Sequence, residues 1–100
     1  PGRQRVIRAS YDLLGLLSFF TLNDEEARAW TLPRGSTAFQ AADMVHSDMS
    51  RGFIRAEVIA WDELLSLGGL SRARAAGRLR QEGKDYVVND GEVLHIKFNV

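Results

Sequence analysis

Apolar and polar positions change period several times along the chain, and each change predicts an element. Between residues 3 and 15, Val6, Ser10, Leu13, Leu14 and then Leu17 fall on one side at helical spacing, with Arg3, Arg5 and Arg8 outside that stripe. That pattern predicts a helix over 3–15. Leu16 to Leu22 is dense in aromatic and β-compatible residues and predicts a strand. The polar run Asn23-Asp24-Glu25-Glu26 is a turn, and Arg28 to Leu32 a second strand, so the two make a hairpin stopped by Pro33-Arg34-Gly35. Thr37 with Gln40 three residues later forms a capping box: the hydroxyl accepts from the Gln40 amide while the glutamine side chain reaches back. The helix it opens carries Ala38, Ala41, Ala42, Val45 and Met49 on one face and is expected to end before Gly52. Phe53 to Ala60 alternates, with Ile54, Ala56, Val58 and Ala60 on one face and Arg55 and Glu57 on the other, as in a half-buried strand. Asp62 to Leu67 is a short helix ending at Gly68-Gly69, and Ser71 to Glu82 another, stopped by Gly83 as a left-handed cap. Tyr86-Val87-Val88 predicts a strand and Asn89-Asp90-Gly91 a hairpin turn. Leu94, Ile96, Phe98 and Val100 then point inward along a last strand.

The order is helix, β, β, α, β, two short helices, β, β. Two hairpins flanking a central helix and strand predict an α+β domain with a mixed sheet and the capped helix packed across one face. That is the β-grasp, or ubiquitin-like, arrangement, expected over residues 16–100. Residues 1–15 are expected to be a connecting helix from an upstream region. A chain of 100 residues, 45% of them hydrophobic, makes one domain with one real core and ordinary stability. The chain starts at Pro1 and is expected to be a piece of something longer. With no cysteine there is no disulfide framework, which fits a reducing compartment. The longest nearly apolar run, Leu13 to Leu22, is too short to span a bilayer.

Net charge is zero, which argues against a general nucleic-acid binder, but the charges are unevenly placed. Residues 24–63 carry eight acids against four bases, whereas 70–84 carry Arg72, Arg74, Arg78, Arg80 and Lys84 against Glu82 alone. Such asymmetry lets a neutral chain present one basic surface. On a helical wheel Arg72 lies opposite Arg74, and Arg78 pairs with Glu82 at i, i+4, so these arginines do not form one stripe. Catalysis has no visible carrier. His46 and His95 belong to separate elements, no His-Asp-Ser grouping shows in the spacing, and no ligand spacing suits a metal. There is no Gly-rich loop ending in Gly-Lys-Ser/Thr, so no nucleotide cofactor site is expected within the chain. Trp30, Trp61, Phe19 and Phe20 are too few and too scattered for a base-stacking platform, and most of them are expected in the core.

Phe20-Thr21, Arg28 to Thr31, Gln40-Ala41-Ala42, His46-Ser47-Asp48, Arg51 to Ile59, Ala76-Gly77, Glu82 to Val88, Asp90-Gly91 and Phe98-Asn99-Val100 together resemble the C-terminal region of the YchF-type Obg-like ATPases. The stretches at 51–59 and 82–88 are long enough to be specific, and the similarity runs from about Ile7 to Val100. His46-Ser47-Asp48 is also similar to the His-Ser/Thr-Asp signature of TGS domains, as in threonyl-tRNA synthetases and (p)ppGpp synthetases. The resemblance implies a TGS domain at the C-terminus of a parent that binds ATP or GTP with Mg through a domain absent here. It also implies a cytoplasmic parent linked to ribosomes and translation.

Two functions of different class follow. The first is a module that contacts RNA or the ribosome. The alternative is an intramolecular structural or regulatory module that packs against the parent's upstream nucleotide-binding domain. For the first, the candidate contacts are His46, Arg51, Arg55 and Lys84. His46 has a structural reading as a helix-end residue, and a functional one implied by its place in TGS domains. Arg51 and Arg55 flank Phe53-Ile54 at the start of one strand and Lys84 precedes another, so all three are expected at one end of the sheet. Neither a membrane partner nor enzymatic activity of this chain is expected.

Overall fold

The computed structural model describes residues 14–23 and 26–100. All but the last two positions of the helix expected over 3–15 lie outside the described residues.

Strands β1 (Leu16–Leu22) and β2 (Ala27–Pro33) form the expected antiparallel hairpin, in register from Leu16↔Pro33 to Leu22↔Ala27. Helix α1 (Ala38–Val45) opens on the capping box, with both reciprocal bonds of Thr37 and Gln40 present. A short α2 (Ser47–Arg51), strand β3 (Phe53–Ala60), helices α3 (Trp61–Leu67) and α4 (Leu70–Ala75), strand β4 (Arg80–Glu82) and strand β5 (Glu92–Phe98) follow. The sheet order is β2-β1-β5-β3-β4. Strand β5 runs parallel to β1 and antiparallel to β3, giving the mixed sheet of the β-grasp fold.

Strand alternation builds two cores. On one face Leu17, Phe19, Leu32, Ala56, Val58, Leu94 and Ile96 meet Ala38, Ala41 and Ala42 of α1. The three alanines have no bulk beyond Cβ, so the helix lies close on the sheet. On the other face Ile59 and Val93 pack with Leu64 and Ala73 of α3 and α4, bordered by Phe20, Leu22 and Trp61. The Phe20 and Trp61 rings lie 4.8 Å apart, and Phe19 stacks on Trp30; Phe19 is buried in the first core, and Trp30, Phe20 and Trp61 pack at the edges of the two cores. Strand β3 is therefore covered on both faces from Ala56 to Ile59, not half-buried.

Several expectations are corrected. The helix expected over Ser71–Glu82 ends at Ala75. Gly77 takes φ +70° there, the Arg78 N–H donates to Ala73 O (3.0 Å) and the Gly77 N–H to Arg74 O (3.0 Å). These are the two bonds of a glycine-terminated helix end, and they free residues 80–82 to add ladder bonds to β3. Gly83 is not in the left-handed region. Arg78 thus pairs with Glu63, its Nε donating at 2.7 Å, rather than with Glu82. The strand expected at Tyr86–Val88 is reduced to one bridge, Thr37↔Val87, and makes no hairpin with β5, because β1 and β3 occupy both edges of β5. The capped helix does not run on to Met49; His46 interrupts it with extended backbone (φ −167°, ψ 139°). The inward row predicted for β3 fails at Ile54. A bulge between Phe53 and Arg55 sets two residues against one on β5, and Ile54 is 55% exposed. Phe98 and Val100, expected inward, are exposed.

Candidate functional site

Beyond the bulge, Arg55, Glu57 and Ile59 share the face opposite α1, as do Val93, His95 and Lys97 of β5. The register sets Ile59 against Val93, Glu57 against His95 and Arg55 against Lys97. The second core covers the first of these rows. The other two form a polar stretch of sheet that ends in a pair of cations.

Glu57 organises this stretch. It is buried, yet its carboxylate accepts from the Arg74 guanidinium at 2.7 Å and from Gln81 Nε2 at 3.3 Å, and lies 2.8 Å from His95 Nδ1. The Arg74 hydrogen bond lowers its pKa most; burial opposes it, and His95 and Gln81 add to it. The net effect moves Glu57 from its ordinary 4.5 to about 2. Glu57 in turn raises Arg74, which is half-exposed. The other end of Gln81 accepts from Arg55 Nε at 2.9 Å. Arg55 is thus held in place by a neutral amide. Neither Arg55 nor Lys97 meets a carboxylate among the described residues. Arg74 meets the buried acid directly, and Arg55 is linked to it through Gln81.

The four residues singled out from sequence separate. His46 and Arg51 meet through Asp48: His46 Nδ1 accepts the Asp48 N–H at 3.0 Å, and Arg51 forms an ion pair with the Asp48 carboxylate. Arg51 is thereby neutralised. Arg55 lies in the sheet stretch above. Lys84 sits in the turn after β4, where its carbonyl accepts the Phe39 N–H at 3.0 Å, in the first turn of α1. His46 lies at the far end of that helix, about 10 Å along its axis. Among the described residues no hydrogen bond or ion pair joins Lys84 to Arg51 or Arg55.

Lys97, Gln81, His95 and Glu57 were not singled out from sequence as part of a contact surface. Their signal was there as charged or polar positions two apart on each strand, Arg55 with Glu57 and His95 with Lys97. What set them side by side is the β3–β5 register, which local pattern does not reveal. A second buried carboxylate, Glu92, is fully engaged: it accepts from Arg80, from the Tyr86 hydroxyl (2.7 Å) and from the Asn89 N–H (2.8 Å), and so closes the turn before β5. Among the described residues no group of three or more His, Asp or Glu could hold a metal ion, and no helix is long and apolar enough to cross a membrane.

A family model for the C-terminal domain of YchF GTPases, described as a protein of unknown function (DUF933), matches residues 16–99. The chain is 52% identical over 99 residues to the Ribosome-binding ATPase YchF of Bacillus subtilis, covering 99% of this chain and 27% of that protein. It is 53% identical over 100 residues to the protein of the same name from Pasteurella multocida, covering 28% of it. The chain thus spans little more than a quarter of the length of these curated relatives. The solved structure of the Schizosaccharomyces pombe YchF GTPase superposes with a TM-score of 0.82 at 33% identity, over 93% of this chain and 25% of that one. The matched region is the family's C-terminal domain, which does not include the nucleotide-binding domain. The family model over residues 16–99, the relatives' identity and the structural superposition agree, and the chain belongs to the YchF family of Obg-like ATPases as its C-terminal domain.

Proposed function

We propose that this domain is the ribosome- or RNA-contacting module of a cytoplasmic parent that hydrolyses ATP or GTP with Mg elsewhere, and that it performs no hydrolysis itself. The observation that carries the reading is the cross-strand pair Arg55–Lys97, two cations without carboxylate partners at the end of a polar stretch of sheet. Arg55 is pre-positioned by Gln81, which the buried Glu57 holds in turn. Ordering Arg55 on a phosphate then sacrifices little side-chain freedom. The relatives' name, ribosome-binding ATPase, supports the same partner.

The test is co-sedimentation of the chain with ribosomes across about 50–200 mM salt, a range over which phosphate contacts weaken measurably. Replacing Arg55 and Lys97 together by glutamine is expected to remove two phosphate contacts. The slope of log affinity against log salt should flatten by about 1.4 if the contacts are to single-stranded RNA. Arg78→Gln, whose guanidinium is already taken by Glu63, serves as the control and should change little. Binding untouched by the double variant, or indifferent to salt, would refute the assignment. No ribosome binding in either the chain or the full-length parent would favour packing against the parent's nucleotide-binding domain instead.

A further inference from the structure

The sheet order leaves the outer edge of β2 unpaired among the described residues. Two hydrogen bonds flanking the hairpin ladder reveal which peptide groups face outward. The Asn23 N–H donates to Glu26 O at 3.0 Å, and the Arg34 N–H to Gly15 O at 2.8 Å. Hydrogen-bonded and non-hydrogen-bonded pairs alternate along an antiparallel ladder. With Leu22 opposite Ala27 and Leu16 opposite Pro33, Arg28, Trp30 and Leu32 therefore turn their peptide groups toward β1. Ala27, Ala29 and Thr31 turn theirs outward, and Pro33 ends the row without an N–H. The side chains at these three outward positions are small, uncharged and exposed. Exposed edges are commonly blunted by charges or bulges, and these positions have neither.

On the α1 side the edge borders a groove lined by Leu32, Pro33, Phe39, Gln40, Asp43 and Met44. Phe39 is 39% exposed and Met44 43%. Toward the other end of β2, Arg28 lies over the Trp30 ring at 4.3 Å and has no carboxylate partner among the described residues. A row of outward amides and carbonyls is matched by another extended backbone, whereas a helix has already spent its own. We propose that the β2 edge and the α1 groove form a docking site for an extended peptide segment of another protein, added to the sheet as a further strand. The segment bonds Ala27, Ala29 and Thr31 through its backbone. Alternate apolar side chains rest on Phe39 and Met44 near the Pro33 end, and an acidic residue meets Arg28 at the other.

The probe is a synthetic peptide of about eight residues, alternating valine with threonine and carrying two glutamates at the Arg28 end. A second version has its alternate amides N-methylated so that it cannot pair with the edge. Amide exchange of the isotope-labelled chain is the readout. The first peptide is expected to slow exchange at Ala27, Ala29 and Thr31 by about tenfold or more, while Trp30 and Leu32, already bonded to β1, change little. The methylated peptide should give no protection. Ala29→Pro removes an outward N–H that β1 does not use, a position where an edge strand accepts proline, and should abolish the effect. If that variant does not fold, the comparison of the two peptides decides. No protection at about 1 mM peptide, weaker than ordinary specific recognition, would overturn the proposal. So would equal binding of the methylated peptide, or protection of the same amides in the chain alone rising with its own concentration, which would assign the edge to a second copy.

Discussion

Gly52 shows how a single position is determined by a distant one. A Cβ added there would lie 2.2 Å from the carbonyl oxygen of Asn99 and 2.8 Å from its carbonyl carbon. The Gly52 carbonyl meanwhile accepts the Asn99 N–H at 2.9 Å. Its φ of −100° is open to any residue, so the demand for glycine is one of space and not of backbone conformation. Sequence pattern marks Gly52 only as the end of a helix. Gly52→Ala is expected to destabilise by about 1–3 kcal/mol, because backbone and not a flexible side chain must give way. Urea unfolding should show a lower midpoint at unchanged slope. Gly83 is the contrast: its backbone is ordinary and nothing lies within 4 Å of an added Cβ. Gly83→Ala should stay within about 0.5 kcal/mol, and equal effects at the two positions would show the Asn99 contact to be unimportant.

At the scale of elements, the break between α1 and α2 depends on one side chain. His46 closes α1 by donating its N–H to Ala42 O at 3.0 Å and opens α2 by accepting the Asp48 N–H on Nδ1. The Ser50 hydroxyl, donating to Asp43 at 2.7 Å, ties the two helices across the corner. The capping geometry favours the structural reading of His46-Ser47-Asp48. His46→Ala is expected to cost about 1 kcal/mol of stability, and His46→Asn, which keeps a capping acceptor, to recover most of it. Thermal unfolding measures both. Ribosome binding of the asparagine variant then tests the structural reading, since loss of binding at restored stability would mean that the ring itself touches RNA.

At the scale of the whole molecule, Glu57 joins β3, β4, β5 and α4 through Gln81, His95 and Arg74. Its folded pKa of about 2 lies below its ordinary 4.5. The folded state therefore takes up the proton less readily than the unfolded one. The resulting stability is present above pH 4.5 and is lost as pH falls from there through about 2. Its size is on the order of 2 kcal/mol once the solvent exposure of Arg74 is allowed for. Urea midpoints of the wild type and of Glu57→Gln, compared from pH 7 down to about 2.5, should differ most at neutral pH and converge in acid. A gap that stays constant with pH would mean that the carboxylate charge contributes nothing.

Much of the fold is legible locally. The hairpin shows in two β-rich runs around a polar turn, α1 in its capping box and three alanines, and the last strand in the alternation of Leu94 and Ile96. Those signals rest on forces acting over a few residues, so neighbouring positions suffice to read them. Over 71–82 the pattern reads as one helix because both Gly77 and Gly83 offer a stop, and the choice falls to the ladder bonds that Arg80–Glu82 gains from β3. The partners of Arg74, Arg78 and Arg80 were likewise out of reach, since each pairs with a carboxylate twelve to seventeen residues away in sequence. Of the candidate surface, Arg55 was visible as an outward cation on a strand. Its neighbour Lys97 was not, because strand register is settled by two faces burying their apolar rows together, and the bulge at Ile54 shifts that register by one. Sequence alone therefore determined the fold class, most of the elements and the family. Tertiary structure decided which charges stand next to one another, because side chains remote along the chain meet only once the sheet has closed.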